Sequence, residues 1–385
     1  MHCIFSMPLV TEMLDSIHAR HTEPGVNTKY LQNAWYAAFW SIDLPAGVVK
    51  ARTVLSRPLA FFRDNDGRPR AIADRCSHRL APLSMGHLLP NGHLQCCYHG
   101  LEFDADGSCI VNPHTPGTRP NPRLNIPAYP VIEMHGMVWV WPGPRSPDYS
   151  AVPDFACLGD TPELHMSKRD YMRIQADTLL VVDNLMDLSH VSFLHEGILG
   201  NSKRPDADIK VEQRDGSIYV VRSQAASSMP GIFDGFWPDA PEKVDRWTTI
   251  RWSAPSNLLN ESGACPPGRG RDEGTGFFGA HILTPETEQS THYFFAAARW
   301  NVRDTDEAVS RNIQERLTEL RRFAFEKQDA PVIEAQQLRM NHPDAPEPVL
   351  LNVDAGPAQY RRALNLLLRE EHAQTSSKPH VSEVS

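Results

Sequence analysis

The sequence contains no long apolar run, and this excludes a helix that crosses a membrane. Its 385 residues have a mean hydropathy of −0.40, and no stretch approaches the roughly 18 uninterrupted apolar residues that such a helix needs. We also expect no secretory leader, because acidic residues interrupt the apolar positions of residues 1–30 and no basic segment precedes them. We therefore expect no membrane partner, and we interpret residues 1–30 as an N-terminal extension.

The chain has neither an excess of basic residues nor a shortage of apolar ones. Its 38 basic and 47 acidic side chains give a net charge of −9, whereas a nucleic-acid-binding protein usually presents a basic face to phosphate. Hydrophobic residues make up 41% of the chain, which is enough to offset the entropy lost on folding. At about 150 residues per domain, the length predicts two or three domains.

Cysteine is scarce, with seven residues in the whole chain. An odd and sparse set argues against the disulfide framework of a secreted protein. We therefore expect a reducing, cytoplasmic location, where clustered cysteines usually bind metals or act in catalysis.

The pattern along the chain divides it into two domains. Short strand-like runs separated by turn sequences predict a small all-β domain over residues 31–145, with a proline-rich irregular loop at residues 112–130. Residues 146–170 have no clear period and are interpreted as a linker. The second domain, residues 171–371, precedes a polar segment, residues 372–385, which we expect to be disordered.

Helices and strands are segregated in the second domain. Apolar spacing predicts a largely buried helix over residues 178–195 and a longer helix over about residues 305–325. Strand-like runs occur at residues 247–252, 281–284 and 292–298. The second domain is therefore expected to have an α+β fold.

A first metal-ligand pattern lies in the all-β domain. Cys76 and His78 are followed, after seventeen intervening residues, by Cys96 and His99. Two loops that each carry one thiolate and one imidazole supply the ligands of a [2Fe–2S] cluster in which two histidines replace two cysteines. A structural zinc site is the alternative, but zinc sites usually group the two cysteines together and the two histidines together.

A second pattern begins the second domain, with Asn184, Asp187, His190 and His195 in the spacing N-x2-D-x2-H-x4-H. Two histidines and one carboxylate are the ligands of non-haem iron(II) oxygenases. Five residues correspond to about 140° on an ideal helix, so His190 and His195 reach one metal only if the helix distorts or ends. Asp187 is placed to accept a hydrogen bond from the second ring nitrogen of His190. The alternative is an amphipathic helix whose polar residues face a satisfied interior.

The third metal ligand should be a carboxylate far along the chain. Spacing alone leaves Glu326, Asp329 and Glu334 open. For Asp329, a helix N-cap followed by Pro331 in the first turn is an alternative role.

Together, the two patterns resemble the Rieske non-haem iron oxygenases, specifically their catalytic α subunits, over about residues 31–370. Within this family the chain is most similar to the dicamba and vanillate O-demethylase oxygenase components. The segments that carry the resemblance are Cys76-Ser77-His78-Arg79, Cys96-Cys97-Tyr98-His99-Gly100, Leu31–Tyr36, Asn184–Leu188, His281–Glu288 and Leu351–Gly356.

This resemblance implies a fold and a set of site residues. The fold would be an N-terminal all-β Rieske [2Fe–2S] domain followed by an α+β, helix-grip-like catalytic domain. Asp329 would be the carboxylate ligand of a mononuclear iron(II), and Asn184 would lie near the metal. In a homotrimer, Asp187 would connect the Rieske cluster of one chain with the iron of the next. The full ligand sets implied are Cys76, His78, Cys96 and His99 for the cluster, and His190, His195 and Asp329 for the iron.

The resemblance also implies the reaction. A terminal oxygenase of this type uses O₂ and electrons from NAD(P)H, delivered by a ferredoxin, a reductase or both, to oxidise an aromatic acid. O-Demethylation of a methoxy group is the expected reaction, with Asn260 and His281 in contact with substrate and residues 224–245, including Phe233, Phe236 and Trp237, capping the pocket. The alternatives are ring hydroxylation or cleavage of a phenoxybenzoate-like diaryl ether, and a non-enzymatic iron–sulfur electron carrier.

Overall fold

The computed structural model describes residues 29–199, 208–229, 231–233, 235–303 and 306–376. Nearly all of the expected N-terminal extension and most of the expected C-terminal tail lie outside these residues. Among the helices described, none has the length and apolar character needed to cross a membrane.

The N-terminal domain is all-β, as the sequence predicts. Within residues 29–145 its strands pair into three small antiparallel sheets, with the orders β1-β11-β10, β2-β3-β4-β9 and β5-β6-β7-β8. These strands are, in chain order, β1 (Tyr36–Trp40), β2 (Lys50–Val54), β3 (Arg57–Arg63), β4 (Pro69–Ala73), β5 (His87–Leu88), β6 (Leu94–Gln95), β7 (Glu102–Phe103), β8 (Cys109–Val111), β9 (Ala128–Tyr129), β10 (Val131–Met134) and β11 (Met137–Val140).

The C-terminal domain is α+β, also as expected. In the described residues β12 to β18 form one antiparallel sheet of seven strands, in the order β12-β18-β17-β16-β15-β14-β13. The main elements are α1 (Ala156–Asp160), β12 (Asp170–Ile174), α2 (Thr178–Met186), α3 (Val191–Leu194), β13 (Asp208–Arg214), β14 (Ser217–Ser227), β15 (Val244–Ser253), β16 (Asn257–Cys265), β17 (Thr275–Thr287), β18 (Ser290–Trp300), α4 (Glu307–Arg322), a π-helix (Phe323–Asp329), α5 (Ala330–Met340) and α6 (Ala355–Ser376).

The large sheet is buried on both faces because its side chains alternate along each strand. On β18, Phe295 belongs to the core that includes residues of α2 and α6, while Phe294 belongs to the core shared with β1 and β11 of the N-terminal domain. Residues of α2 and α6 therefore share a core with the face that carries Phe295, and residues of β1 and β11 share one with the face that carries Phe294.

The prediction of a single helix over residues 178–195 is wrong. Helix α2 ends at Met186, and Asp187 adopts an extended conformation with φ −93° and ψ 101°. The carboxylate of Asp187 accepts the backbone N–H of Ser189 at 2.7 Å. A local side-chain hydrogen bond of this kind competes with the helical backbone bonds and stabilises the break.

The C-terminal segment is helical further than the sequence suggests. Helix α6 continues through Ser376, so residues 372–376 are helical rather than disordered. The Glu371 carboxylate accepts the backbone N–H groups of Gln32 and Asn33, each at 2.8 Å, and the Arg145 guanidinium donates to the Glu371 carbonyl at 2.8 Å. Contacts with the N-terminal domain thus hold the end of this helix.

Arg52 and His292 join the two domains at a half-buried polar contact. The Arg52 guanidinium donates to the Tyr171 hydroxyl at 2.9 Å and lies 3.3 Å from Nδ1 of His292. Nε2 of His292 lies 2.9 Å from the Thr53 carbonyl oxygen, which can only accept. Because arginine can only donate, His292 must be neutral, with its proton on Nε2.

We expect this histidine to make stability fall in mild acid. Burial lowers the pKa of His292 to about 4, below the value of about 6.5 in an unfolded chain. Between these values the unfolded state binds the proton and the folded state does not, so stability present above pH 6.5 is lost as the pH falls. The loss between pH 7 and pH 5 should be about 2 kcal/mol. Urea unfolding at both pH values checks this, and His292→Gln should lose less stability than the parent; an equal loss in both would contradict it.

Candidate metal centres and substrate cavity

The four cluster ligands expected from sequence lie on two neighbouring loops of the N-terminal domain. Cys76 and Cys96 are buried and free, and their thiols contact one another. The rings of His78 and His99 have centroids 4.5 Å apart on the outer side. Two sulfurs therefore lie inward and two imidazoles lie toward the surface.

The two loops have the same backbone hydrogen-bond pattern. In the first, the Leu80 N–H donates to the Cys76 carbonyl at 2.9 Å; in the second, the Gly100 N–H donates to the Cys96 carbonyl at 3.0 Å. Leu80 and Gly100 both have positive φ, 58° and 74°, and this reverses the chain after each histidine. The backbone N–H groups of His78 and Arg79 donate to the Cys76 sulfur, as is usual around cluster thiolates.

These residues fit a [2Fe–2S] cluster. Burial raises the pKa of the Cys76 thiol to about 11, so a free thiol here keeps its proton at neutral pH. Binding to a metal would remove that proton, because coordinated cysteines are thiolates. One cysteine and one histidine in each of two matching loops is the ligand set of the Rieske type.

The second expected site brings His190, His195 and Asp329 together. Their ligand atoms all lie within 4.8 Å of one another. An Asp329 carboxylate oxygen lies 3.1 Å from Nε2 of His195 and 3.7 Å from Nε2 of His190. His195 and Asp329 are almost fully buried, and two histidines with one carboxylate fit a mononuclear iron(II).

The shortness of helix α3 allows His190 and His195, five residues apart, to face the same position. His190 immediately precedes α3, which has a single turn, and His195 leaves the helix with φ −112° and ψ 34°. The ring centroids are 5.1 Å apart. The geometric requirement inferred from the sequence is therefore met by two short helices in place of one.

Of the three candidate carboxylates, only Asp329 faces both histidines. Glu326 accepts a hydrogen bond from Arg322 at 2.9 Å, and Glu334 accepts the backbone N–H of Gln175 at 2.9 Å. Asp329 ends the π-helix and precedes α5, yet its side chain makes no capping hydrogen bond. A π-helix is rare and often marks a functional site.

Asn184 and Asp187 lie beside the same centre. The Asn184 amide donates to the Asp329 carboxylate at 3.2 Å. An Asp187 oxygen lies 3.7 Å from Nδ1 of His190. Burial acts to raise the pKa of Asp187, but the nearby His190 ring and the hydrogen bonds from Ser189 outweigh it and lower that pKa, so the group stays ionised.

The pKa of His195 also depends on a balance between burial and a neighbouring group. Burial alone would lower the pKa of His195, but the hydrogen bond and charge of Asp329 raise it above its usual value. The second ring nitrogen of His195 lies 2.8 Å from the side-chain oxygen of Gln328. No sequence motif singled out Gln328; its only signal is that it precedes Asp329.

A cavity opens beside this centre, between the large sheet and the helices. Its walls are mainly apolar and include Leu185, Ile250, Phe277 and Phe325. Of the aromatic residues expected to cap the pocket, Phe233 lines the cavity. The other two, Phe236 and Trp237, belong instead to neighbouring apolar clusters.

Asn260 and His281 also line the cavity. Asn260 accepts a hydrogen bond from the Ser262 hydroxyl at 2.9 Å, which directs its amide nitrogen away from Ser262. A Cβ placed on Gly279 would lie 3.4 Å from Nε2 of His281 and 3.6 Å from the amide nitrogen of Asn260. The two side chains therefore flank a gap that the glycine leaves open.

The proton of His281 is located by Tyr293, whose hydroxyl lies 2.5 Å from Nδ1. Burial raises the pKa of Tyr293 far above its usual value and lowers the pKa of His281 far below its usual value. Both groups are therefore neutral. With the hydroxyl donating to Nδ1, Nε2 carries the ring proton beside Gly279. His281 therefore presents a neutral ring with an N–H donor at Nε2.

Among the described residues, three arginines and one carboxylate, Asp329, contribute to the cavity lining. Arg222 donates to the Ser192 hydroxyl at 2.9 Å, and Arg246 donates to Gln224. Burial lowers the pKa of Arg321 to about 10, so it remains a cation at neutral pH. The described part of the lining therefore contains more basic than acidic side chains.

Comparisons with known families agree with both centres. Residues 34–130 match the Rieske [2Fe-2S] domain, and residues 174–370 match the vanillate O-demethylase oxygenase C-terminal domain.

Relatives match along most of the chain. The oxygenase component of chloroacetanilide N-alkylformylase from Rhizorhabdus wittichii is 37% identical, covering 92% of this chain and 99% of that protein. The oxygenase component of dicamba O-demethylase from Stenotrophomonas maltophilia is 36% identical, covering 89% of this chain and 99% of that protein. A crystal structure of dicamba monooxygenase with non-haem iron and dicamba superposes with a TM-score of 0.72 at 35% identity, covering 89% of this chain and 98% of that one.

These matches exclude the zinc module and the simple electron carrier as descriptions of the chain. A Rieske domain implies a [2Fe–2S] cluster, and the His190, His195 and Asp329 group accounts for a mononuclear iron. The chain is an oxidoreductase and belongs to the Rieske non-haem iron oxygenases, in the group that has the vanillate O-demethylase type of catalytic domain.

Proposed function

We propose that this chain is the terminal oxygenase component of a multicomponent system that demethylates a methoxy-substituted aromatic acid. The observation that carries the proposal is the opening of the His190, His195 and Asp329 group onto a mainly apolar cavity that contains hydrogen-bond donors. In this assignment the cluster is held by Cys76, His78, Cys96 and His99, and the iron(II) by His190, His195 and Asp329.

The reaction balances with two electrons. An aryl methyl ether, O₂, two electrons and two protons give a phenol, formaldehyde and water, because hydroxylation of the methyl carbon forms a hemiacetal that expels formaldehyde. The electrons come from NAD(P)H through a ferredoxin, a reductase or both. When bound, the metals supply electron storage and O₂ activation. The chain contributes the cavity, which excludes water and holds the methoxy carbon beside the metal ligands.

An acidic substrate is favoured by a buried cation and by hydrogen-bond donors in the cavity. Arg321 is a buried cation in the lining, and the carboxylate that the described lining contains, Asp329, is assigned to the metal. The Asn260 amide and the ring N–H of His281 flank the gap at Gly279, where they can donate to a carboxylate. We propose Asn260 and His281 as substrate-binding residues on this basis.

An aromatic ring is favoured by the apolar walls, where Phe233, Phe277 and Phe325 offer planar contacts. The same walls would also suit ring hydroxylation, or cleavage of a phenoxybenzoate-like diaryl ether, so these remain the alternative reactions.

Assembly, domain limits and location complete the proposal. We propose a homotrimer in which Asp187 connects the cluster of one chain with His190 of the next. We also propose domains close to the predicted residues 31–145 and 171–371, joined by residues 146–170, with helix α6 extending the second domain to Ser376. The cysteines in the described residues are all free, which supports a reducing, cytoplasmic location.

The test is a panel of methoxybenzoates supplied to the purified chain with O₂, NADH and a surrogate ferredoxin and reductase. We expect one formaldehyde for each O₂ consumed. The methyl ester of the best acid, a matched neutral control, should have a KM roughly 10- to 100-fold higher, since hydrogen bonds to a charged group are worth about 1.5–3 kcal/mol. Ring-hydroxylated or ether-cleaved products without formaldehyde would replace O-demethylation by the alternative, and equal KM values would contradict the acidic substrate.

A further inference from the structure

Gln328 makes two side-chain hydrogen bonds at the mononuclear site. Its amide nitrogen donates to the Leu194 carbonyl at 2.7 Å, and its amide oxygen lies 2.8 Å from Nδ1 of His195. Gln328 is next to Asp329 on the π-helix, whereas Leu194 and His195 are consecutive at the end of α3. One side chain therefore joins the two segments that carry metal ligands.

The chemistry of these partners determines which way the amide points. A backbone carbonyl can only accept, so the amide NH₂ group of Gln328 must face Leu194. The amide oxygen must then face His195, and because that oxygen can only accept, Nδ1 of His195 must carry a proton. The remaining ring nitrogen, Nε2, is the one that lies 3.1 Å from the Asp329 carboxylate. A metal at that position would replace the proton that Nε2 donates to Asp329.

We propose that Gln328 is a positioning residue, which holds His195 with Nδ1 protonated and with Nε2 directed at the mononuclear metal. This inference rests on the proposed iron ligands. A histidine ligand usually donates its second ring N–H to an acceptor, and removing that acceptor typically costs 10- to 100-fold in metal affinity or activity. Here the acceptor is a neutral amide from the residue before the carboxylate ligand.

The π-helix makes this arrangement possible in the chain. Asp329 and Gln328 are consecutive, and both side chains reach the same histidine, one at each ring nitrogen. The amide also satisfies a carbonyl at the end of α3, a place where helices leave backbone acceptors unpaired. Substitution of Gln328 should therefore act on the orientation of His195 before it acts on the fold.

The experiment measures iron(II) affinity in the full-length protein. Purified chains are stripped of mononuclear iron with a chelator under anaerobic conditions, acid-labile sulfide is assayed to verify the cluster, and iron(II) is titrated back. Gln328→Leu should bind iron(II) roughly 10- to 100-fold more weakly than the parent. Gln314→Leu is the matched control, because Gln314 also bonds a backbone carbonyl, that of Glu163 at 3.0 Å, but does not line the cavity; it should bind iron(II) as the parent does.

A second variant separates positioning from packing. Gln328→Glu keeps an acceptor for Nδ1 of His195 and gives up the donor to Leu194, so its affinity should be nearer to the parent than to Gln328→Leu. Parent-like affinity in Gln328→Leu, or equal losses in the Leu and Glu variants, would overturn the inference. A parent chain that takes up no mononuclear iron would instead contradict the proposed function itself.

Discussion

His195→Ala is expected to lose the mononuclear iron and to reduce turnover by at least about 1,000-fold, more than the 10- to 100-fold typical for loss of an outer partner of a metal ligand. The imidazole is one of three ligands, and it is almost fully buried against Asp329. Its removal leaves two ligands and a space that water can fill. The cluster loops belong to the other domain, so the [2Fe–2S] centre should be unaffected.

Metal analysis together with visible spectroscopy measures this. The parent should contain about three irons per chain, two in the cluster and one mononuclear, and the variant about two, with an unchanged cluster spectrum. Glu326→Ala is the matched control, since Glu326 lies on the same π-helix but pairs with Arg322; it should keep about three. Undiminished turnover by His195→Ala, or zinc as the sole metal of anaerobically prepared protein, would contradict the site assignment.

Asp187→Asn should leave both metal sites filled and yet reduce turnover by on the order of 100-fold. Asparagine keeps the size of the side chain and removes its charge. In the described residues, Nδ1 of His190 has no hydrogen-bond partner within normal distance, and the Asp187 carboxylate at 3.7 Å is its nearest ionic group. In the proposed trimer this carboxylate lies between His190 and the neighbouring cluster, so the expected defect is in electron transfer.

A stopped-flow experiment locates that defect. The pre-reduced protein is mixed with O₂ and substrate, and the rate at which the cluster is oxidised is measured by absorbance. The Asp187→Asn cluster should be reduced normally and reoxidised slowly. Asp183→Asn is the control, because Asp183 lies on the preceding helix and pairs with Arg361 and Tyr360; its stability should fall while cluster reoxidation stays normal. Normal reoxidation in Asp187→Asn would contradict a role in electron transfer.

Local sequence patterns predict a structural element correctly where the interactions that stabilise the element are themselves local. The Asp64-Asn65-Asp66-Gly67 turn predicts a hairpin, and β3 and β4 form it. The turn between β2 and β3, at Leu55 and Ser56, was not recognisable, although both residues have positive φ. Their N–H groups donate to Pro285 and Glu286 carbonyls of the other domain, each at 2.8 Å, so a distant contact stabilises this turn.

The sequence by itself determined the two ligand patterns, the order of the domains and the family, because ligand spacing and strand or helix periodicity are written within short segments. Ligand spacing left Asp329, Glu326 and Glu334 open, and the family resemblance pointed to Asp329. The tertiary structure adds the physical reason, because Glu326 and Glu334 have other partners. Only the tertiary structure shows that Gln328 contacts His195 and that three arginines contribute to the lining of one cavity. These groups meet through the packing of separate helices and strands, and no spacing along the chain records such a meeting.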